Sequence, residues 1–475
     1  MKLKNEIRII VSFLLVTIVL LVTSCVDGFK ENEVFSTDVR NTTLQSPDSI
    51  VFTPSTANDT LITISWPVVF GAGGYQVSFY KVDDPANPVV VGTENQVVDG
   101  CSTTRRLLAD TKYKAVVKTL GNTTYNNKDA VAATVKTYST LVPANAIIPS
   151  GTDLYAYFTA NPITASKADQ VYELEIGGTY TMTGDIPTGL ANVTIRGNKV
   201  THPTVTMSSG VFISDGAGFN LSTINFDCSN FTGKGIITFN ATLNTSAPNY
   251  LTGWSGMEVT SPVSLRSCKI TGLTTPLIYD NGVKYALATF IINDCVIGQN
   301  TLTKNLISMA GGMVKDLSLT NSTFYNIQNA TAGYMIQYAN ATNTSKITGS
   351  GWASGSVTLT NSTFWQVYKS YRMANYSGMG QTYNTLNVQQ CIFVDCGSQR
   401  VIRDLSFNTT MVRKIGYNSY WFGGVFPSAE ISTSYDNSST YMNTDPQLKD
   451  PANADFTVQG AAQIAAKAGD PRWLK

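Results

Sequence analysis

The C-terminal two thirds of the chain repeats one pattern of apolar and polar positions. Five octets align: residues 263–270, 290–297, 317–324, 357–364 and 386–393. In each, positions 1, 3, 6 and 8 are apolar or small. An uninterrupted strand would send positions 3 and 6 to opposite faces. Both turn inward only if the chain bends between them. Positions 4 and 5 are mostly Thr, Asn, Asp, Gln or Ser, which suit a bend. Two short strands joined by a polar corner, repeated, predict one side of a parallel β-helix coil. Ile224-Asn225-Phe226-Asp227-Cys228 reads as a looser first copy, and Tyr417-Asn418-Ser419-Tyr420-Trp421 as a degenerate last one.

Position 6 of the octet is Cys or Ser. With Cys228 included, the spacings along the chain are 40, 27, 27, 40 and 29 residues. A coil is therefore about 27 residues, and two coils carry insertions. This predicts an internal ladder of Cys228, Cys268, Cys295, Ser322, Ser362 and Cys391, with Cys396 outside it. Buried packing is the expected role of these cysteines, with disulfides as the alternative.

The N-terminal third is patterned differently. An apolar run over residues 9–22 follows Lys2, Lys4 and Arg8 and ends at Val22-Thr23-Ser24-Cys25. A basic start, an apolar stretch too short for a membrane span of about 20 residues, and small residues before a cysteine describe a lipoprotein signal peptide. The expectation is cleavage before Cys25 and lipid on Cys25; a short anchor with an incidental cysteine is the alternative. Residues 25–45 lack periodicity and read as a tether. Over 46–140, short alternating strands around Trp66, Tyr75 and Tyr113 are separated by turns, which predicts a β-sandwich. Cys101 reads as a lone thiol.

Composition narrows the picture. Only 14% of 475 residues are charged, and the formal net charge is +1. Removing residues 1–24 takes it to about −1, which speaks against nucleic acid as a partner. There is a single histidine, His202, in a Thr-His-Pro turn. No CxxC pair or Cys/His cluster suggests a zinc site.

Several stretches resemble known families. Trp66, Tyr75 and the Leu108-Ala109-Asp110-Thr111-Lys112-Tyr113 corner resemble a fibronectin type III domain over 46–140. Asp445-Pro446-Gln447-Leu448-Lys449-Asp450-Pro451 followed by Asp455-Phe456-Thr457-Val458 resembles the closing segment of pectin-lyase-like β-helix proteins. Gly469-Asp470-Pro471-Arg472-Trp473 resembles the ending of Bacteroidota surface lipoproteins that join these two modules. The resemblance implies an all-β chain: a fibronectin type III-like sandwich, then a right-handed parallel β-helix over 141–475. It also implies outer-membrane attachment with exposure at the cell surface, polysaccharide as ligand, and other glycan-uptake proteins as partners.

Catalytic motifs do not accompany it. The Asn-Thr-Asp, Asp-Asp, Gly-His-Gly and Arg-Ile-Lys motifs of polygalacturonase-like hydrolases are absent, as is the Arg-x-Pro-x-x-Arg motif of pectate-type lyases. Hydrolysis needs a carboxylate pair at defined separation. A lyase needs a basic group, and often Ca²⁺ held by several carboxylates. Between Phe231 and Glu430 only seven acidic residues occur, scattered, against thirteen basic ones. The basic excess suits an anionic glycan. Aromatic faces pack on sugar rings and Arg grips carboxylates in a bidentate manner. The candidate glycan-binding residues are Trp365, Tyr368, Lys369, Tyr371, Arg372, Arg400 and Arg403, with no catalytic residue and no cofactor assigned. The expected function is acidic-glycan binding. A lyase, with Ca²⁺ as its cofactor, and an adhesin or spacer are the alternatives.

Overall fold

The computed structural model describes residues 39–55, 60–164, 169–301, 303–328, 333–339, 349–407, 410–428 and 435–475. Cys25, the expected lipid site, lies outside the described residues. The chain divides into two compact units, 1–141 and 142–475.

In the first unit, two antiparallel sheets close on one apolar core. Strands Val51–Pro54, Leu61–Ser65 and Ser102–Arg106 form one sheet. Gly74–Lys81, Lys112–Leu120 and Thr134–Ser139 build most of the other. Period-2 alternation sends Ile62 and Ile64 inward from the first sheet, and Val77, Phe79, Tyr113, Ala115 and Val117 from the second. Trp66 meets Tyr75 edge-on at 5.4 Å, and Phe79 stacks on Tyr113 at 4.9 Å. The Tyr113 hydroxyl accepts the Leu108 N–H at 2.6 Å, which ties the strand to the chain five residues upstream. Cys101 is a free thiol near the Tyr75 hydroxyl.

The second unit is a parallel β-solenoid of three sheets. Sheet A runs from Ala146–Ile148 to Val412–Gly416, sheet B from Thr179–Met182 to Ser419–Trp421, and sheet C from Ile186–Gly189 to Arg372–Asn375. Each coil contributes one strand to A, turns a corner into B, then into C where that sheet persists. The aligned octets are the A-to-B corners. Their fifth residues, Ser267, Asp294, Asn321, Asn361 and Gln390, all have φ between 48° and 57°. One left-handed residue reverses the inward parity, so positions 3 and 6 both face the core. Asn and Asp tolerate that conformation better than most side chains.

The corner ladder follows, with one correction. Cys268, Cys295, Ser322, Ser362 and Cys391 are all buried, in line with one another. Cys228 is not among them. Thr223 is the left-handed residue of its coil, and Asn225 pairs with Lys269, so Ile224 fills the ladder position. Cys228 lies past the end of the following sheet-B strand, where its N–H bonds the Thr271 carbonyl. Asn418 continues the ladder at the other end. The cysteines among the described residues are all free, so the disulfide alternative is set aside there.

Position 8 stacks as well. Phe324, Phe364, Phe393 and Tyr420 pile up at centroid spacings of 5.1, 4.9 and 5.7 Å, close to the distance between neighbouring strands. Each fully buried aromatic contributes about 2–3 kcal/mol through removal of apolar surface from water.

Candidate functional site at the end of sheet C

The last strand of sheet C, Arg372–Asn375, packs against the short helix Val401–Leu405. This end of the sheet gathers four of the seven predicted glycan-binding residues. Tyr371 is 36% exposed, and its ring lies 5.0 Å from that of Tyr334. The two hydroxyls are 3.3 Å apart. Tyr334 stands in register with Arg372 across the parallel pair. Arg400 opens the helix and Arg403 lies within it, its guanidinium 5.7 Å from the Tyr435 ring.

A carboxylate holds the centre. Asp404 accepts the Met373 N–H at 3.3 Å. Burial pushes its carboxyl up to about 6, against the opposing pull of Arg400, Arg372 and Arg403. All three guanidiniums act on this one partly buried carboxylate from nearby, and among the described residues none of them is ion-paired within 4 Å. Burial also raises the Tyr334 hydroxyl, with Tyr371 and Asp404 adding to the effect and Arg372 opposing it. The result is a surface with an excess of two positive charges beside a pair of partly exposed aromatic rings.

The other three predicted residues lie elsewhere. Tyr368 is fully buried: its hydroxyl donates to the Lys304 carbonyl at 2.8 Å and accepts from Gln299 Nε2 at 3.1 Å. It is a core residue and is removed from the glycan-binding set. The cause is local. Gln366 and Tyr368 both have positive φ, which breaks the alternation so that Val367 and Tyr368 both face inward. Lys369 is committed to Asp395 at 2.9 Å and lies over the Phe422 ring. Trp365 ends a sheet-B strand, and its ring sits against Phe456 of the C-terminal segment, 6.2 Å away. The single linear patch read from residues 364–372 is thus split between two sheets.

Sequence reasoning missed Tyr334 and Asp404. Tyr334 lies 37 residues before Tyr371, and it becomes visible only when the coil alignment extends to sheet C. Among the described residues no three His, Cys, Asp or Glu side chains converge as a metal-ion site. His202 is half-buried, and burial lowers its imidazole against a bond with Asn225.

Comparison with known proteins adds organisation rather than chemistry. Three family models match successive stretches, each described as a domain of unknown function: DUF4992 over residues 5–178, DUF4957 over 178–327 and DUF5123 over 357–473. No curated protein matches the chain. Among solved structures, the family 28 exopolygalacturonase of Yersinia enterocolitica is similar at 11% identity, over 81% of this chain and 97% of that one, with a TM-score of 0.17. A superposition that weak transfers no residue, substrate or reaction to this chain.

Proposed function

We propose that the chain is a lipid-anchored surface protein that binds an acidic polysaccharide, such as pectin, without cleaving it. One observation carries the reading: the packed strand and helix at the end of sheet C gather Arg372, Arg400 and Arg403 beside the Tyr334–Tyr371 pair. Guanidiniums take uronate carboxylates in bidentate fashion, and tyrosine rings accept the C–H face of a sugar. In this reading Cys25 carries the lipid. The first unit is a fibronectin type III-like spacer, and the solenoid presents the binding surface outside the outer membrane alongside other glycan-uptake proteins. A lyase would need a base poised over the uronate α-proton and a means of neutralising its carboxylate. Arginine can serve both needs in pectate-type lyases, so the appearance or absence of unsaturated-uronate product separates lysis from binding.

Affinity electrophoresis in gels containing polygalacturonate tests the proposal. Wild type should be retarded and the Arg372→Ala/Arg403→Ala variant should migrate freely, with no rise in unsaturated-uronate absorbance for either. Equal migration of both proteins contradicts binding at this site, and rising absorbance favours the lyase.

A further inference from the structure

The first of the two long coils builds a second concavity, far along the solenoid from the arginine cluster. Its insertion, residues 240–259, carries the antiparallel pair Tyr250–Leu251 and Gly256–Val259. The second of these strands then joins sheet A beside Tyr285–Asn293. Asn249 pins the insertion down: its Nδ2 donates to the Gly216 carbonyl at 2.8 Å and to the Glu258 carbonyl at 2.7 Å. Gly216 has φ of +119°, and a Cβ there would meet Met257 at 2.5 Å, so the close approach requires glycine.

Between this insertion and the turns that lead into sheet A lies a cleft of about 450 Å³. Leu190, Pro248 and Leu251 supply apolar wall, and Glu258, Thr260 and Ser261 supply polar groups. Among the described residues Glu258 is the sole charged residue in the lining. It is partly desolvated, with Trp352 of the second long insertion bonded to its side chain. Asn249 is spent on the scaffold: its Nδ2 donates to two carbonyls, and its Oδ1 is sealed from solvent with no donor among the described residues. A few convergent polar groups set in apolar walls, at this volume, describe a small-molecule site.

We propose that this cleft is a second carbohydrate site that takes an uncharged sugar ring. The apolar walls suit the C–H face of a pyranose, and the Thr260 and Ser261 hydroxyls and the Glu258 carboxylate suit its hydroxyls. Glu258 sets the selectivity, because a uronate carboxylate would meet it at close range with no compensating cation among the described residues of the lining. Together with the arginine cluster, the solenoid would then read a heteropolymer at two places, one acidic and one neutral. The cleft stands on its own geometry and does not depend on the arginine cluster.

Isothermal titration of the full chain with β-1,4-galactotetraose, xylotetraose, trigalacturonate and chitosan tetramer tests this. At least one neutral tetrasaccharide should bind. Thr260→Trp, an exposed position that fills the cleft mouth, should weaken that binding at least tenfold, whereas Arg372→Ala/Arg403→Ala should leave it within twofold. Glu258→Gln should keep neutral binding and admit trigalacturonate in the Arg372→Ala/Arg403→Ala background. No neutral binding, neutral binding indifferent to Thr260→Trp, or a Thr260→Trp effect confined to trigalacturonate or the amino-sugar tetramer would overturn the assignment. Failure of the acidic-glycan reading registers separately, as trigalacturonate binding unchanged by the arginine substitutions in otherwise wild-type protein.

Discussion

The backbone N–H of Cys295 donates to Ser322 Oγ at 3.0 Å, one coil away. The link repeats along the ladder. Cys268 N–H reaches Cys295 Sγ at 3.4 Å, Ser322 N–H reaches Ser362 Oγ at 3.2 Å, and Cys391 N–H reaches Asn418 Oδ1 at 3.0 Å. Each thiol or hydroxyl also donates to the carbonyl two residues before it, as Ser322 does to Thr320 at 2.6 Å. The left-handed corner residue turns these N–H groups off the regular ladder, and the small polar side chain of the next coil receives them. Ser and Cys recur at position 6 because they are small enough for the interior and still accept a hydrogen bond.

This gives a stability prediction. Ser322→Ala leaves the Cys295 N–H buried and unpaired and should cost about 1–3 kcal/mol. Ser322→Cys keeps an acceptor and should cost clearly less. Urea unfolding of both variants measures the difference, and equal losses would show that the side chain matters only for packing.

The C-terminal segment is strapped to sheet B through Thr323. Its hydroxyl donates to Asp470 Oδ2 at 2.7 Å and accepts from Trp473 Nε1 at 2.8 Å. Arg472 adds a contact to Asp294 at 2.6 Å. Thr323→Val should release both bonds, red-shift tryptophan emission and speed amide exchange over residues 463–475. The expected cost is about 2 kcal/mol, from two lost bonds at roughly 1 kcal/mol each. Unchanged exchange at the C-terminus would place the anchoring elsewhere, in the Phe456–Trp473 ring contact for example.

Acidic-glycan binding should depend on pH through Asp404. Burial raises its carboxyl to about 6, so the group gains a proton as pH falls from 7 to 5. The cluster then goes from two net positive charges to three, while uronates stay ionised. Affinity for polygalacturonate should rise over that interval by a few-fold, in keeping with the ~1 kcal/mol or less of a solvent-screened charge interaction. Asp404→Asn should bind at pH 7 about as well as wild type does at pH 5, with a flat profile. A wild-type profile that falls on acidification would rule out this linkage.

In the first unit, Tyr113→Phe removes the hydroxyl that accepts from Leu108. The ring stack on Phe79 is kept, so the loss should be about 1 kcal/mol. Tyr113→Ala should cost about 3–5 kcal/mol by opening a cavity in the core. Thermal melts of the two variants separate the hydrogen bond from the packing.

Much of this protein was legible in one dimension. The octets located the A-to-B corners because strand alternation and left-handed turn chemistry act within a few residues. The coil length followed from their spacing, and the degenerate copy at Tyr417 proved to be a true corner, with φ of 56°. The first ladder member was misplaced by four residues because Ile224 and Cys228 are both small or apolar and both buried, and composition does not distinguish them.

The sequence by itself determined the solenoid, its coil period and the inward set of position-8 aromatics, since each depends on backbone geometry read over neighbouring residues. Only the tertiary structure decided which residues meet between coils. Lateral pairing brought Tyr334 beside Tyr371, and a short helix in place of a further sheet-C strand brought Arg400, Arg403 and Asp404 to Arg372. It also turned Tyr368 inward, and it folded an insertion over sheet A to make a cleft with Glu258 in its wall. Such contacts depend on the lengths of every intervening coil and loop, a sum that no local pattern carries.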